Sequence, residues 1–127
     1  MNKFIIRTVP TGVKFDLKAP NGQTVLTSEV YRTAAACRKG IASVQKSVLT
    51  AALEDLTDAS GRTFSNPKFE LYRDKAGAYR FRMKARNGAI IAVSDAYAAR
   101  AGAISGMESV KKNAPGAKVE QVPSDNG

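Results

Sequence analysis

Apolar and polar residues alternate along the start of the chain. Phe4, Ile6 and Thr8 form one row; Val13, Phe15, Leu17 and Ala19 form a second, interleaved with Lys14, Asp16 and Lys18. A period of two with one apolar side predicts half-buried strands. Asn21-Gly22 follows, then the β-branched run Thr24-Val25-Leu26-Thr27. That pair predicts a two-residue type I′ hairpin, because both residues tolerate positive φ. The period then changes. Val30, Ala34, Cys37, Ile41, Val44 and Val48 are spaced 4, 3, 4, 3 and 4 apart, which is one stripe of a helix. Residues 51–56 read as a last strand, although Leu49, Ala52, Leu53 and Leu56 would also prolong the helix.

The same pattern occurs twice. Phe15-Asp16-Leu17-Lys18-Ala19-Pro20-Asn21-Gly22 matches Phe81-Arg82-Met83-Lys84-Ala85-Arg86-Asn87-Gly88 at an offset of 66. The offset persists through Ser28/Ser94, Tyr31/Tyr97, Gly40/Gly106, Ser43/Ser109, Val44/Val110 and Lys46/Lys112, and it drops to 65 for Phe4/Phe69. One residue was therefore gained or lost in the first hairpin loop, where length changes are tolerated. These matches divide a single domain, 1–127, into repeats 1–58 and 67–123, a Ser/Gly/Asn-rich linker 59–66 and a tail 124–127. Ile90-Ile91-Ala92-Val93 repeats the third strand. Ala96, Ala103, Met107, Val110 and Ala114 repeat the helical stripe, interrupted by Arg100. Ala114-Pro115-Gly116 ends that helix, and residues 118–122 read as an edge strand. Gly40 and Gly106 sit mid-helix, where glycine costs about 1 kcal/mol relative to alanine. Their duplication points to close packing.

The repeated pattern Phe-x-Leu-Lys-Ala-x-Asn-Gly, then Ser-Glu-x-Tyr, then Gly-Ile-x-Ser-Val resembles that of the YegP-like DUF1508 (UPF0339) family. The first copy carries it at Phe15–Gly22, Ser28–Tyr31 and Gly40–Val44; the second at Phe81–Gly88, Ser94–Tyr97 and Gly106–Val110. Pro20, Met83, Asp95, Met107 and the longer linker depart from it. The resemblance implies β(3)-α-β units, as tandem repeats or as a dimer, that share one sheet and exchange their final strands. It implies no activity and no catalytic residues. The expected fold is α+β: one antiparallel sheet from both copies with two helices on one face.

Composition narrows the chemistry. The chain has 127 residues, 43% hydrophobic and 24% charged, with no His and one Cys. His-dependent triads and Cys–His dyads are excluded, as are His-ligated zinc, zinc knuckles and an internal disulfide. No nucleotide-binding glycine loop occurs, and no cofactor is expected. No apolar run reaches the roughly 18–20 residues of a membrane span, and the apolar stretch Phe4-Ile5-Ile6 is too short for a signal peptide. A soluble cytoplasmic protein is expected.

Lys plus Arg number 20 against 11 Asp plus Glu, a net charge of +9. Arg80, Arg82, Lys84 and Arg86 alternate with Tyr79, Phe81, Met83 and Ala85, which places all four cations on the solvent side of one strand. With Tyr72 beside them they are the candidate binding residues, a phosphate-tracking surface for nucleic acid acting by counterion release and shape. A salt-paired face is the competing reading, with Arg82 opposite Glu70, Arg80 opposite Tyr72 and Asp95, and Lys14 opposite Glu29. A protein-binding face is the third. Ser28 and Ser94 lack a base and read as helix-entry or turn-bonding serines. Tyr31 and Tyr97 read as packing, and Cys37 as a buried thiol. Glu29, Asp95, Glu54 and Asp55 do not have the spacing of a metal loop. The favoured function is a non-enzymatic interaction module with an unknown protein partner or polyanion, monomeric or homodimeric. A dimer would use the open sheet face through Ile5, Ile91 and Val93.

Overall fold

Phe4, Ile6, Phe15 and Leu17 are fully buried, as are Phe69, Phe81 and Met83. Burying one such side chain is worth about 1.5–3 kcal/mol, so these alternating rows drive strand formation. The computed structural model describes residues 2–58 and 61–122. It contains β1 (Lys3–Val9), β2 (Gly12–Lys18), β3 (Thr24–Ser28), α1 (Ala34–Ser47) and β4 (Ala52–Asp55), then β5 (Lys68–Arg73), β6 (Tyr79–Lys84), β7 (Ile90–Val93), α2 (Arg100–Asn113) and β8 (Lys118–Gln121). The predicted tail 124–127, position 123 and linker positions 59 and 60 lie outside the described residues.

All eight strands form one sheet in the order β4-β5-β6-β7-β3-β2-β1-β8. The expected exchange is present. The first copy's β4 lies beside β5 of the second, and the second copy's β8 lies beside β1 of the first. The sheet is mixed rather than wholly antiparallel, because both exchanged strands run parallel to their neighbours. Each meets the first strand of the other copy, to which no hairpin joins it. Both outer strands are four residues long, and short edges discourage further pairing.

The chain leaves each helix early enough to form the last strand. Residues 49–56 therefore do not extend α1. At its other end α1 starts at Ala34, later than the stripe predicts. Thr33 caps it, its hydroxyl accepting from Ala36 N at 3.0 Å. Val30 is 46% exposed and is not part of the helix. Its neighbour Tyr31 instead bridges back to Val13 by two backbone hydrogen bonds, of 2.7 and 2.8 Å. Tyr97 does the same with Tyr79.

Each helix packs on the sheet through a glycine. A Cβ on Gly40 would overlap Oη and Cζ of Tyr31, and one on Gly106 would overlap the same atoms of Tyr97. The tyrosine rings in turn lie parallel to phenylalanines: Tyr31 is 6.3 Å from Phe15, Tyr97 is 6.4 Å from Phe81, and both pairs are inclined by 19°. The duplicated Tyr, Gly and Phe are one packing unit used twice.

The Asn-Gly turns are not type I′. Asn21 and Asn87 have negative φ, while Gly22 and Gly88 adopt φ of 84° and 86°. Gly22 N donates to Ala19 O, and Ala19 N to Gln23 O, both at 2.9 Å. These are three-residue loops, a turn followed by a left-handed glycine. Pro20 and Arg86 therefore belong to the turns, not to the strands.

Candidate functional site

The basic stripe begins on β6, whose register with β5 sets Arg82 opposite Glu70 and Arg80 opposite Tyr72, as the sequence predicts. Glu70 is only 4% exposed, and three cations converge on it. Arg82 Nε donates to Glu70 Oε1 at 2.8 Å; Lys84 Nζ and Lys68 Nζ stand 3.5 and 3.6 Å from Oε2. Burial works to raise the Glu70 carboxyl, but the Arg82 hydrogen bond and the charges of Arg82, Lys84 and Lys68 outweigh it. The carboxyl stays below its ordinary range. Lys68 also bonds Glu54 at 2.8 Å. That hydrogen bond, joined by Phe64 N at 2.8 Å, lowers Glu54, and the same bond raises the Lys68 ammonium.

Arg80 takes a different partner from the one expected. Its Nε donates to Asp74 Oδ2 at 2.8 Å, and a second guanidinium nitrogen reaches Ser94 O at 3.2 Å. Asp74 closes the β5–β6 turn by accepting from Ala76 N and Ala78 N, each at 3.0 Å, so it already points at the strand. Asp95 is exposed and forms no ion pair among the described residues. Tyr72 is not an open stacking platform: the Arg82 guanidinium carbon sits 4.5 Å over its ring. Arg86 is exposed in the β6–β7 turn and leaves the stripe. In the first copy Arg7 pairs with Asp16 at 2.7 Å. Among the described residues neither Lys14 nor Glu29 forms the ion pair expected of them. Ile91 is 6% exposed and does not show on an open face; Ile5 and Val93 are half-buried.

The other candidates resolve into structure. Ser28 Oγ accepts from Phe15 N at 2.9 Å and donates to Glu29 O at 2.7 Å. Ser94 Oγ repeats this with Phe81 N and Asp95 O at 2.9 and 2.8 Å. Each hydroxyl satisfies a buried amide that the β-ladder misses. Glu54 and Asp55 do not gather as a metal site. Glu54 binds Lys68, whereas Asp55 binds Thr57 and Arg100. Among the described residues no acidic, Cys or His cluster could hold a metal ion. Burial pushes the Cys37 thiol up, despite Arg38 nearby. No described helix is long and apolar enough to cross a membrane.

The sequence reading missed a groove of about 710 Å³ between α1 of the first copy and the β6–β7 turn of the second. Lys39, Lys46 and Arg86 line it, with Ala42, Leu49 and Pro67. The only signal for it was the absence of acids from α1, which carries Arg38, Lys39 and Lys46.

Residues 12–55 and 74–121 each match the family described as "Domain of unknown function (DUF1508)". A UPF0339 protein of Treponema denticola is 58% identical over 55 residues, which is 43% of this chain and 95% of that protein. A UPF0339 protein in the ptx operon 5′ region of Stutzerimonas stutzeri is 35% identical over 109 residues, 86% of this chain and 85% of its own. The solution structure of yegP from E. coli, a protein of unknown function, aligns with a TM-score of 0.79 at 28% identity over 99% of this chain and 96% of that one. A UPF0339 structure from Shewanella oneidensis aligns with a TM-score of 0.77 at 26% identity, covering 94% and 90%. The chain belongs to the DUF1508 (UPF0339) family, a family of unknown function.

Proposed function

We propose that the protein is a non-enzymatic interaction module, built of repeats 1–58 and 67–123 about the linker 59–66 and working in the cytoplasm. One observation carries this reading: the duplicated pairs Ser28/Ser94, Tyr31/Tyr97 and Asn21/Asn87 have structural partners. Ser28 and Ser94 complete the backbone ladder. Tyr31 and Tyr97 fill the space above Gly40 and Gly106. The duplicated Asn21 and Asn87 accept from the amides of Gln23 and Ala89 in their turns. Among the described residues both serine hydroxyls bond backbone groups only, with no side chain placed to act as their base.

Nucleic-acid binding through Tyr72, Arg80, Arg82, Lys84 and Arg86 is the weaker reading, because three of the four cations already hold carboxylates. Releasing them to phosphates would leave the buried Glu70 with Lys68 alone.

Affinity capture with the intact protein, with and without nuclease and at two salt concentrations, tests both readings. A discrete protein retained after nuclease supports the module. Material lost on nuclease treatment, and lost again when Arg80, Arg82, Lys84 and Arg86 become Glu, supports the nucleic-acid reading. A turnover abolished by Ser28→Ala and Ser94→Ala overturns the non-enzymatic one.

A further inference from the structure

The duplication supplies an internal control. Residues that the fold needs recur in both halves, as Gly40/Gly106, Tyr31/Tyr97 and Ser28/Ser94 do. The lining of the groove breaks this rule. Lys39, Ala42 and Arg86 correspond to Ser105, Glu108 and Pro20, and only Lys46 keeps its charge as Lys112. The groove side therefore has three cations and no acid, while the matching set of the other half has one cation and one acid. Both halves form the same strands, helix and turn, so the fold does not require the extra charges.

Nothing in the described structure neutralises them. Among the described residues no carboxylate lines the groove, and none pairs with Lys39, Lys46 or Arg86. This contrasts with the sheet face, where Glu70 alone gathers three cations. Ala42, Leu49 and Pro67 give the groove an apolar lining. Leu49 is 71% exposed, the most exposed of the described large apolar residues. Cations and apolar side chains lining one groove match a ligand that is both acidic and apolar.

We propose that this groove docks an acidic segment of a partner protein, with carboxylates against Lys39, Lys46 and Arg86 and an apolar side chain over Leu49. The proposal rests on the interaction-module reading and names the partner's chemistry. A nucleic acid fits less well. Among the described residues no aromatic side chain lines the groove to stack a base, and a phosphate backbone leaves its apolar lining uncovered. The lining charges speed encounter and make it salt-dependent; the apolar anchor slows release. Because one wall comes from each half, the groove exists only where the two halves share a sheet.

The test is selection of random short peptides displayed on phage, with the intact protein as bait. Enriched peptides combine Asp or Glu with a large apolar residue. Their affinity falls about tenfold or more with Lys39→Glu plus Arg86→Glu, and with Leu49→Asp. It is unchanged by Lys112→Glu, and it weakens as salt rises. Amide shifts on adding an enriched peptide to the unaltered protein fall within residues 39–50 and 85–87, which locates the site even where a variant fails to fold. No enrichment, enrichment indifferent to these substitutions, or tighter binding of a single-stranded RNA at the same amides overturns the proposal. A partner still captured by the Lys39→Glu, Arg86→Glu protein overturns the groove alone and leaves the interaction module standing.

Discussion

Thr27 lies directly across the sheet from Val93, the residue that occupies its own place in the second copy. Any residue that faces its duplicate lies on the two-fold axis relating the copies. The β3–β7 junction is therefore that axis, with Ser28 opposite Ala92 beside it. It is also a short join, so the two halves depend on few ladder bonds there. Val93→Pro removes a central-strand N–H and is expected to cost about 3 kcal/mol or more. Helical circular dichroism and tyrosine fluorescence should be lost at one common midpoint. Separate midpoints would mean that the halves fold independently.

Gly40→Ala and Gly106→Ala should each destabilise by about 1–3 kcal/mol, although alanine favours a helix by about 1 kcal/mol. The added methyl meets a tyrosine that is pinned by its backbone bridge and stacked on phenylalanine. Denaturant unfolding measures the loss. Tyr31→Leu in the Gly40→Ala background should return part of it, which a double-mutant cycle reads as coupling.

Ser28→Ala and Ser94→Ala each leave a buried backbone amide unsatisfied, that of Phe15 or Phe81. Each should cost about 1–3 kcal/mol, with similar values in the two copies. A marked inequality in the denaturation midpoints would mean that one serine does something besides supporting the ladder.

The cations of the stripe should separate by role. Arg82→Glu places a second carboxylate against buried Glu70 and should lower stability by about 1–3 kcal/mol. Arg86→Glu changes an exposed turn residue and should stay within about 0.5 kcal/mol of the parent. Thermal melts of the two variants check this directly.

Stability should be flat from about pH 5 to 8 and fall on both sides. Glu54, Glu70, Asp74 and Asp55 are all lowered in the folded protein. The folded state then binds fewer protons than the unfolded state near and below pH 4. Their contribution is present above the unfolded carboxylate range and is lost as pH falls through the lowered values. Cys37, Tyr31, Tyr97 and Lys68 are raised. Their contribution is complete below the unfolded values and is lost as pH rises through the folded ones. Melting temperatures across a pH series test both limbs.

The strands, both helices and the duplication were legible because each rests on local periodicity. Errors arose where an apolar residue met a helical spacing by coincidence. Val30 extended the stripe on paper, but Thr33, a capping residue ahead of three alanines, marked the true start. Pro20 held a similar warning. Its fixed φ suits the first turn position, so the loops had three residues and Arg86 could not belong to the strand. Arg100 looked like a flaw in an apolar stripe; it ties α2 to Asp55 on the exchanged strand. Periodicity says which side of an element is buried but not which element lies beside it. The groove was illegible for that reason, since its walls are contributed by residues 39–50 and 85–87.

The pairing of β8 with β1 has a mechanical consequence. The first and last described strands are neighbours and run in the same direction, with Lys3 opposite Lys118 and Ile6 opposite Gln121. A force drawing residue 2 away from residue 122 acts along both strands at once, from opposite ends. Their hydrogen bonds are loaded in shear and must rupture together, whereas a hairpin pulled from its open end unzips one bond at a time. The crossover therefore places a tension-bearing clamp at the rim of the sheet.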